Sequence, residues 1–319
     1  MRRRVFGVLI GGLVLATAMA GPQSAAAEPC RWIAHDLPLP ADATYSATRG
    51  SSESNRFIVG ETRITGGGAE KGLIWDNGAL TQMASPGSSN IAIHPKDVNN
   101  SAVVVGGRDH WGQDSLRAFR YRNGSYELLD TPATHHSWAR AVNNLGDVVG
   151  EMWQKGSDTR QVVVWLNDGT RKEFLPGQAV GISDDRKLVQ VTASSAFAID
   201  VTSGQQTELP GGRTPAVFDN DRLLHFSWGG LMEWTTSGQH VATWQGGTEP
   251  YGRTSSGHVV FGAVMGTATL WQWGIRYSVD SEKQPDVRYY GDISDEGALI
   301  GTYQNADGSS HPARWFWCG

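Results

Sequence analysis

The sequence predicts an all-β protein: a seven-bladed β-propeller of four-stranded antiparallel blades, with the ring closed by N- and C-terminal strands. Three observations support this prediction. A turn-and-strand unit recurs about every 40 residues. The chain of 319 residues contains 40 Gly and 13 Trp but only 18% charged residues, which favours short strands and tight turns over long helices. The only two cysteines stand near opposite ends of the chain.

Composition and charge exclude several classes of protein. Hydrophobic residues make up 39% of the chain, too many for a disordered protein. Outside the N-terminal segment they are too evenly spread for a membrane protein. The formal net charge of −5 argues against a nucleic-acid partner, because neutralising phosphates requires clustered Lys and Arg.

The N-terminal segment has the pattern of a signal peptide. Arg2, Arg3 and Arg4 precede an apolar run that ends near Ala20, and small residues follow up to Ala27. We expect cleavage after residue 27, with a cut after Ala20 as the other option. The competing interpretation is a membrane anchor, but the run is short and contains two glycines. Cleavage removes three positive charges and no negative ones, so the net charge changes from −5 to −8. A secreted, extracellular protein with no later membrane span is expected.

The two cysteines, Cys30 and Cys318, are expected to form a disulfide. In an exported protein a lone pair is more often bonded than free or metal-bound. Such a bond requires Cα atoms within about 7 Å, so the two ends of the chain would have to meet. That requirement agrees with a closed ring.

The repeat is a turn of Asn, Asp, Ser or Gly followed by a short β-branched run that ends in a landmark residue, usually Gly. The clearest copies span 97–106, 141–150 and 292–301. The landmark positions are 60, 106, 150, 190, 225, 261 and 301, a mean spacing of about 40 residues. Seven copies therefore account for residues 28–319 as one propeller domain, with no room for another, and a six- or eight-bladed ring is the alternative.

A second landmark in each unit is an aromatic residue before a Gly turn. Trp75, Tyr121 and Trp165 each follow the first landmark by 15 residues, and each precedes an Asn-Gly or Asp-Gly hairpin signal. These aromatics, with Trp234, Trp273 and Trp317 in later units, are expected to pack between blades. Four short strands in about 40 residues is the size of a propeller blade. The seventh unit stops at its third strand, so the segment after Cys30 is expected to supply the fourth.

These units resemble the extracellular repeat proteins named for a His-Ala-Phe motif. The resemblance is carried by the unit from Ala141 to Gly150 and by Arg117-Ala118-Phe119, with Pro312–Trp315 as a looser match. The resemblance covers nearly the whole chain after the signal peptide, but only units two, three and seven match well. It implies an exported, β-propeller-like protein and no shared catalytic residues.

Motifs for catalysis or cofactor binding are absent from the sequence. It contains no G-x-S-x-G and no H-E-x-x-H, and Gly66-Gly67-Gly68 lacks the rest of a phosphate-binding pattern. The Asx-rich turns could supply oxygen ligands to calcium, but Asn and Asp also cap such turns, and we favour that interpretation. No catalytic residue, metal or cofactor is therefore predicted.

Candidate ligand-binding residues come from the segments that lead into the innermost strands, because these segments border the mouth of a propeller channel. These residues are His94, Lys96, Trp138, Arg140, Arg213, Tyr251, Arg253, Tyr289 and Asp292. Tryptophans outside the repeat phase could add stacking surfaces. They are Trp111, Trp138, Trp153, Trp228 and Trp244.

Two functions agree with these observations. The first is a secreted, non-enzymatic binding or scaffolding propeller, expected to be a monomer, whose partner is an extracellular glycan, a protein or a small molecule. The second is a secreted propeller enzyme acting on carbohydrate, a glycoside hydrolase or lyase. A hydrolase needs two carboxyls about 5–9.5 Å apart. Asp97 and Asp292 are the best candidates because they occupy equivalent positions in their repeats, but they lie in units that are not adjacent.

Overall fold

The computed structural model describes residues 31–84, 90–110, 115–210, 215–219, 221–227, 230–244, 249–253, 259–264, 267–272, 275–279, 281, 283, 292–294 and 297–317. These residues form 28 strands joined by turns, and they contain no helix. Among them there is accordingly no helical segment with the length and apolar character to cross a bilayer. The predicted signal peptide lies outside the described residues.

Six blades consist of four consecutive antiparallel strands each. Blade 1 contains β2 (Ala43–Ser51), β3 (Phe57–Ile64), β4 (Lys71–Asp76) and β5 (Ala79–Gln82). Blade 2 contains β6 (Ile91–Val98), β7 (Val104–His110), β8 (Leu116–Arg122) and β9 (Ser125–Leu128). Blade 3 contains β10 (His135–Val142), β11 (Val148–Gln154), β12 (Gln161–Trp165) and β13 (Arg171–Pro176).

The second half of the chain repeats this arrangement. Blade 4 contains β14 (Gln178–Ile182), β15 (Lys187–Val191), β16 (Ala196–Asp200) and β17 (Gln206–Leu209). Blade 5 contains β18 (Pro215–Asp219), β19 (Arg222–Ser227), β20 (Gly230–Thr235) and β21 (His240–Trp244). Blade 6 contains β22 (Glu249–Arg253), β23 (Val259–Val264), β24 (Thr267–Gln272) and β25 (Ile275–Ser278).

The remaining four strands form a composite sheet, here called the closing sheet. It joins β1 (Trp32–Asp36) from the start of the chain to β28 (Ser310–Trp317), β27 (Leu299–Gln304) and β26 (Asp292–Ile293) from its end. The prediction of a seven-bladed propeller is therefore wrong. The chain builds six contiguous blades, and the sheet between blades 6 and 1 is assembled from both termini, with an innermost strand of only two residues.

The first strand of each blade lines the centre of the ring. β2 packs against β6, β6 against β10, β10 against β14, β14 against β18, and β18 against β22. The closing sheet continues this series, because β26 contacts β22 while β27 and β28 contact β2. The ring is thus a β-propeller whose channel wall is made of the innermost strands.

Pairing of the two chain ends agrees with the sequence prediction. Trp32 lies opposite Trp317 in the antiparallel register of β1 and β28, with ring centroids 5.7 Å apart. Trp32 also belongs to the same buried cluster as Trp315. The predicted packing of Trp32 in this sheet is confirmed. Cys30 and Cys318 lie outside the described residues, so the disulfide stays a prediction.

An aromatic residue on the third strand ties two blades to the segments that lead into them. Trp75 and Trp165 are buried between neighbouring blades. Their indole N–H groups donate to the carbonyls of Pro38 at 2.8 Å and Asp130 at 2.7 Å.

Trp315 has this role in the closing sheet, donating to the carbonyl of Lys283. The prediction for Trp317 is wrong, because strand register places Trp315 at this position and leaves Trp317 53% exposed. In blade 6 the strand register places Trp271 opposite Val260, the equivalent position, and the predicted Trp273 lies outside the described residues.

The Asx-rich turns cap the backbone, as predicted, and also join blades. The amide of Asn99 donates to the carbonyl of Asn143 in the next blade at 2.8 Å. The amide of Asn143 donates to the carbonyl of Ser183 at 2.9 Å. The side-chain oxygen of Asn143 accepts the N–H of Asp147 within its own turn. These buried amides therefore stabilise contacts between blades as well as turns.

Candidate functional site

The site lies on the channel wall, where the innermost strand of each of blades 1 to 6 carries a β-bulge. A bulge places one extra residue opposite the partner strand and re-aims its side chain. The register shifts fall at equivalent positions in blades 1 to 6, and the bulged residues are Arg49, Lys96, Arg140, Val180, Ala216 and Tyr251. Three neighbouring blades thus present a cation at the same position.

The landmark glycine of the repeat explains why the backbone can adopt this shape. A Cβ atom at Gly60, Gly106 or Gly150 would lie 2.0–2.3 Å from a carbonyl oxygen of the innermost strand. Only glycine permits such a close approach of two strands. The same residue that reveals the repeat in the sequence therefore shapes the wall that carries the cations.

Arg49 is held by a buried carboxylate. Glu61 on β3 forms an ion pair with Arg49 and a hydrogen bond with His94 Nδ1 at 3.0 Å. Burial alone would raise the pKa of Glu61, but the hydrogen bond with His94 and the charge of Arg49 outweigh it and lower the pKa to about 2. Glu61 is therefore ionised at neutral pH and orients both partners.

Arg140 has an equivalent partner in blade 3. Glu151 on β11 is fully buried, and it accepts a hydrogen bond from Arg140 Nε at 2.9 Å. Arg160 lies 3.5 Å from the same carboxylate, and the backbone N–H of Ala179 in blade 4 donates to it at 3.1 Å. This carboxylate links two arginines and the neighbouring blade.

Lys96 lies between these two pairs and has no carboxylate partner among the described residues. Its ammonium nitrogen is 5.6 Å from the centroid of the Trp138 ring, within the range of a cation–π contact. Burial lowers the pKa of Lys96, the charges of Arg49 and Arg140 lower it further, and the charges of Glu61 and Glu151 oppose this shift. The three cations are thus close enough to repel one another.

Trp138 completes this part of the wall. Its ring stacks on His94 with centroids 5.8 Å apart and covers Gly107 on the neighbouring blade. The structure therefore brings together four of the sequence-predicted residues, and it places all of them on β6 and β10 themselves and not in the preceding loops. These four residues are His94, Lys96, Trp138 and Arg140.

Asp292 and Asp97 have a structural role in the described part of the chain. Asp97 accepts the backbone N–H groups of Val98 and of Val142 in the next blade, both at 2.8 Å. Asp292 occupies the equivalent place in the closing sheet, where it accepts the hydroxyl hydrogen bond of Ser51 in blade 1. Both carboxyls therefore join adjacent sheets.

The structure describes no side chain for the other predicted ligand-binding residues. Arg213 and Tyr289 lie outside the described residues, as do Trp111 and Trp228. Tyr251 and Arg253 lie on β22, where only the backbone is described.

Of the remaining tryptophans, Trp153 lies in blade 3 under the guanidinium of Arg160, with the Arg160 Cζ 4.8 Å from the ring centroid. Trp244 ends β21, and its side chain is not described. No group of three or more His, Cys, Asp or Glu in the described part of the chain is placed to hold a metal ion.

Sequence reasoning missed Arg49, Glu61 and Glu151. The repeat alignment missed Arg49 because the turn between β2 and β3 is one residue longer than the turn between β6 and β7. Ser51 pairs with Ile58, seven residues on, whereas Val98 pairs with Val104, six residues on. The two glutamates were detectable, because each directly follows a landmark glycine.

Comparison with known proteins supports the propeller fold and assigns the chain to no family. No family model matches this chain, and no curated protein sequence does. Among solved structures, an oligogalacturonate lyase in complex with manganese matches with a TM-score of 0.63 and 9% identity, over 91% of this chain and 96% of that chain.

Two further solved structures match over most of their length. An oligogalacturonate lyase from Vibrio parahaemolyticus has a TM-score of 0.58 and 5% identity, over 90% of this chain and 96% of that chain. A chain of the mitotic checkpoint complex has a TM-score of 0.54 and 13% identity, over 97% of this chain and all of that chain. At such identities the similarity establishes the propeller fold alone.

Proposed function

We propose that this chain is a secreted, non-enzymatic β-propeller that binds an anionic ligand in its channel. The observation that carries the proposal is the convergence of Arg49, Lys96 and Arg140 from three neighbouring innermost strands. Like charges held close together in a partly buried site repel one another and destabilise the unliganded protein. A bound anion reduces that repulsion. The signal-peptide pattern supports secretion, and the His-Ala-Phe resemblance implies an exported propeller.

An acidic glycan is the ligand class that we propose first. Two proteins of similar fold are named as oligogalacturonate lyases. This shared architecture makes oligogalacturonate a rational first probe, because each of its sugar units carries a carboxylate. A small organic anion would use the same cations.

The test is isothermal titration calorimetry of the purified protein with trigalacturonate and, as a neutral control, galactotriose. We expect binding of the acidic trisaccharide only, weakening as sodium chloride is raised, because surface-accessible ion pairs are screened by salt. Lys96→Met should weaken binding about tenfold or more, a loss of about 1.4 kcal/mol. Lys155→Met, which removes the same charge from an exposed turn, should leave binding unchanged.

Binding of galactotriose with equal affinity, or equal affinities of the wild type and Lys96→Met, would overturn the proposal. The same samples also test the alternative, an enzyme acting on carbohydrate. The pairing of Glu61 with His94 is the observation that favours it, because a carboxylate-oriented histidine can transfer protons. Shortening of trigalacturonate on incubation, followed by chromatography, would support the enzyme over the binding module.

A further inference from the structure

The channel wall has an internal pattern that blade 2 breaks. In blades 1 and 3 the residue after the landmark glycine is a buried glutamate, Glu61 or Glu151, which pairs with the bulged arginine of its own blade. In blade 2 the equivalent residue is Gly107, and the bulged residue is Lys96. Blade 2 thus keeps the cation of this arrangement and lacks its carboxylate.

Trp138 occupies the space that the missing side chain would need. A Cβ atom at Gly107 would lie 2.3 Å from the Trp138 ring, far closer than non-bonded carbon atoms approach. The indole therefore takes the place of an internal counter-ion and lies beneath the ammonium group of Lys96. An indole ring carries no net charge, so the positive charge of Lys96 stays unbalanced within blade 2.

The two flanking arginines do not compensate for this. Arg49 and Arg140 are each engaged by a glutamate, and both increase the positive potential at Lys96, while the charges of Glu61 and Glu151 offset part of it. Among the described residues, Lys96 is thus a bulged cation without a carboxylate partner of its own, between two bulged arginines that each have one. One negative charge from outside restores the pattern of blades 1 and 3.

We infer that a single carboxylate of the ligand binds Lys96 and takes the place of the glutamate that blade 2 lacks. This inference rests on the proposed anion-binding function and narrows it to a class, carboxylic acids such as uronic acids. In the two flanking blades a carboxylate fills the equivalent role beside a cation. A phosphate monoester is tetrahedral and carries close to two negative charges at neutral pH, so it does not reproduce the planar, singly charged group found in blades 1 and 3.

The first test uses the wild-type protein and four small probes at equal concentrations: glucuronate, its neutral amide glucuronamide, glucose and glucose 6-phosphate. Titration calorimetry should give glucuronate a dissociation constant about tenfold or more below those of the other three. Lys96→Met should abolish this preference, and Lys155→Met should keep it. Equal affinity for glucuronate and glucuronamide, or tighter binding of glucose 6-phosphate, would overturn the inference.

The second test supplies the carboxylate from the protein. The double variant Gly107→Glu/Trp138→Ala removes the indole and restores a glutamate after the landmark glycine. We expect it to bind glucuronate about tenfold or more weakly than Gly107→Gln/Trp138→Ala, which has nearly the same shape without the charge. Equal binding by the two folded double variants would contradict the inference. If the double variant does not fold, the probe series and Lys96→Met decide the question.

The two proposals fail in different ways. If trigalacturonate binds in a salt- and Lys96-dependent manner but the monomeric probes show no carboxylate preference, the inference falls and the anion-binding function stands. If neither trigalacturonate nor glucuronate binds, both proposals fall.

Discussion

Trp165 offers a quantitative test of how the blades are held together. It is 2% exposed, packs with residues of blades 2 and 3, and donates its indole N–H to the carbonyl of Asp130 at 2.7 Å. A tryptophan buries up to about 250 Å². At about 25 cal/mol per Å² the upper limit for transfer is about 6 kcal/mol. Comparable core truncations cost about 3–5 kcal/mol, and we expect this loss for Trp165→Ala.

Two further variants separate the contributions. Trp165→Phe keeps most of the apolar contact but removes the N–H donor, so the free energy of unfolding should fall by about 1–2 kcal/mol. Trp317→Ala is the matched control. Trp317 is 53% exposed, so its removal should cost about half as much as the loss at Trp165.

The measurement is urea denaturation followed by far-ultraviolet circular dichroism, with the free energy of unfolding extrapolated to water. Circular dichroism is preferred because the chain has 13 tryptophans and their fluorescence would not report one site. A loss at Trp317 equal to that at Trp165, or a Trp165→Phe variant as unstable as Trp165→Ala, would refute the assignment of the third-strand aromatic to blade packing.

Two more predictions concern the chain ends and the channel wall. Because β1 pairs with β28 as far as Trp32 and Trp317, a bond between Cys30 and Cys318 should hold the ring closed, and loop closure of this length contributes up to about 5 kcal/mol. Cys30→Ser or reduction should therefore lower the melting temperature without changing sheet content at room temperature; two titratable thiols in the native protein would contradict the bond. Desolvation raises the pKa of Asp97 from 3.8 to about 7, so the stability that this carboxyl contributes is fully present below pH 3.8 and is lost as the pH rises to about 7. Between pH 4 and pH 7 the melting temperature of Asp97→Asn should fall less than that of the wild type. If both proteins show the same pH dependence in thermal denaturation, Asp97 is not its cause.

Local chemistry in the sequence was enough to predict the architecture of a blade. Turn residues and β-branched runs are short-range signals, and their repetition defines units of four strands. Asn77 and Gly78, for example, both adopt positive φ in the hairpin that their dipeptide predicts. The pairing of the two chain ends was also predictable, because a closed ring of repeats leaves unpaired strands only where the chain begins and ends.

The candidate site depended on contacts that no single repeat contains. Lys96 and Arg140 were predicted from their positions in the repeat. No local sequence pattern shows that Glu61 contacts His94 of the next blade, or that Trp138 covers Gly107 of the previous blade.

Strand register was decided in the same way, since Trp315 and Trp317 have similar neighbours in sequence and only the pairing of β27 with β28 buries the first of them. The sequence by itself determined the repeating unit, because turns and alternation are local. Only the tertiary structure decided which of the bulged cations has a carboxylate partner. The reason is that the glutamates and the Trp138 indole come from neighbouring strands and blades, which closure of the propeller brings together.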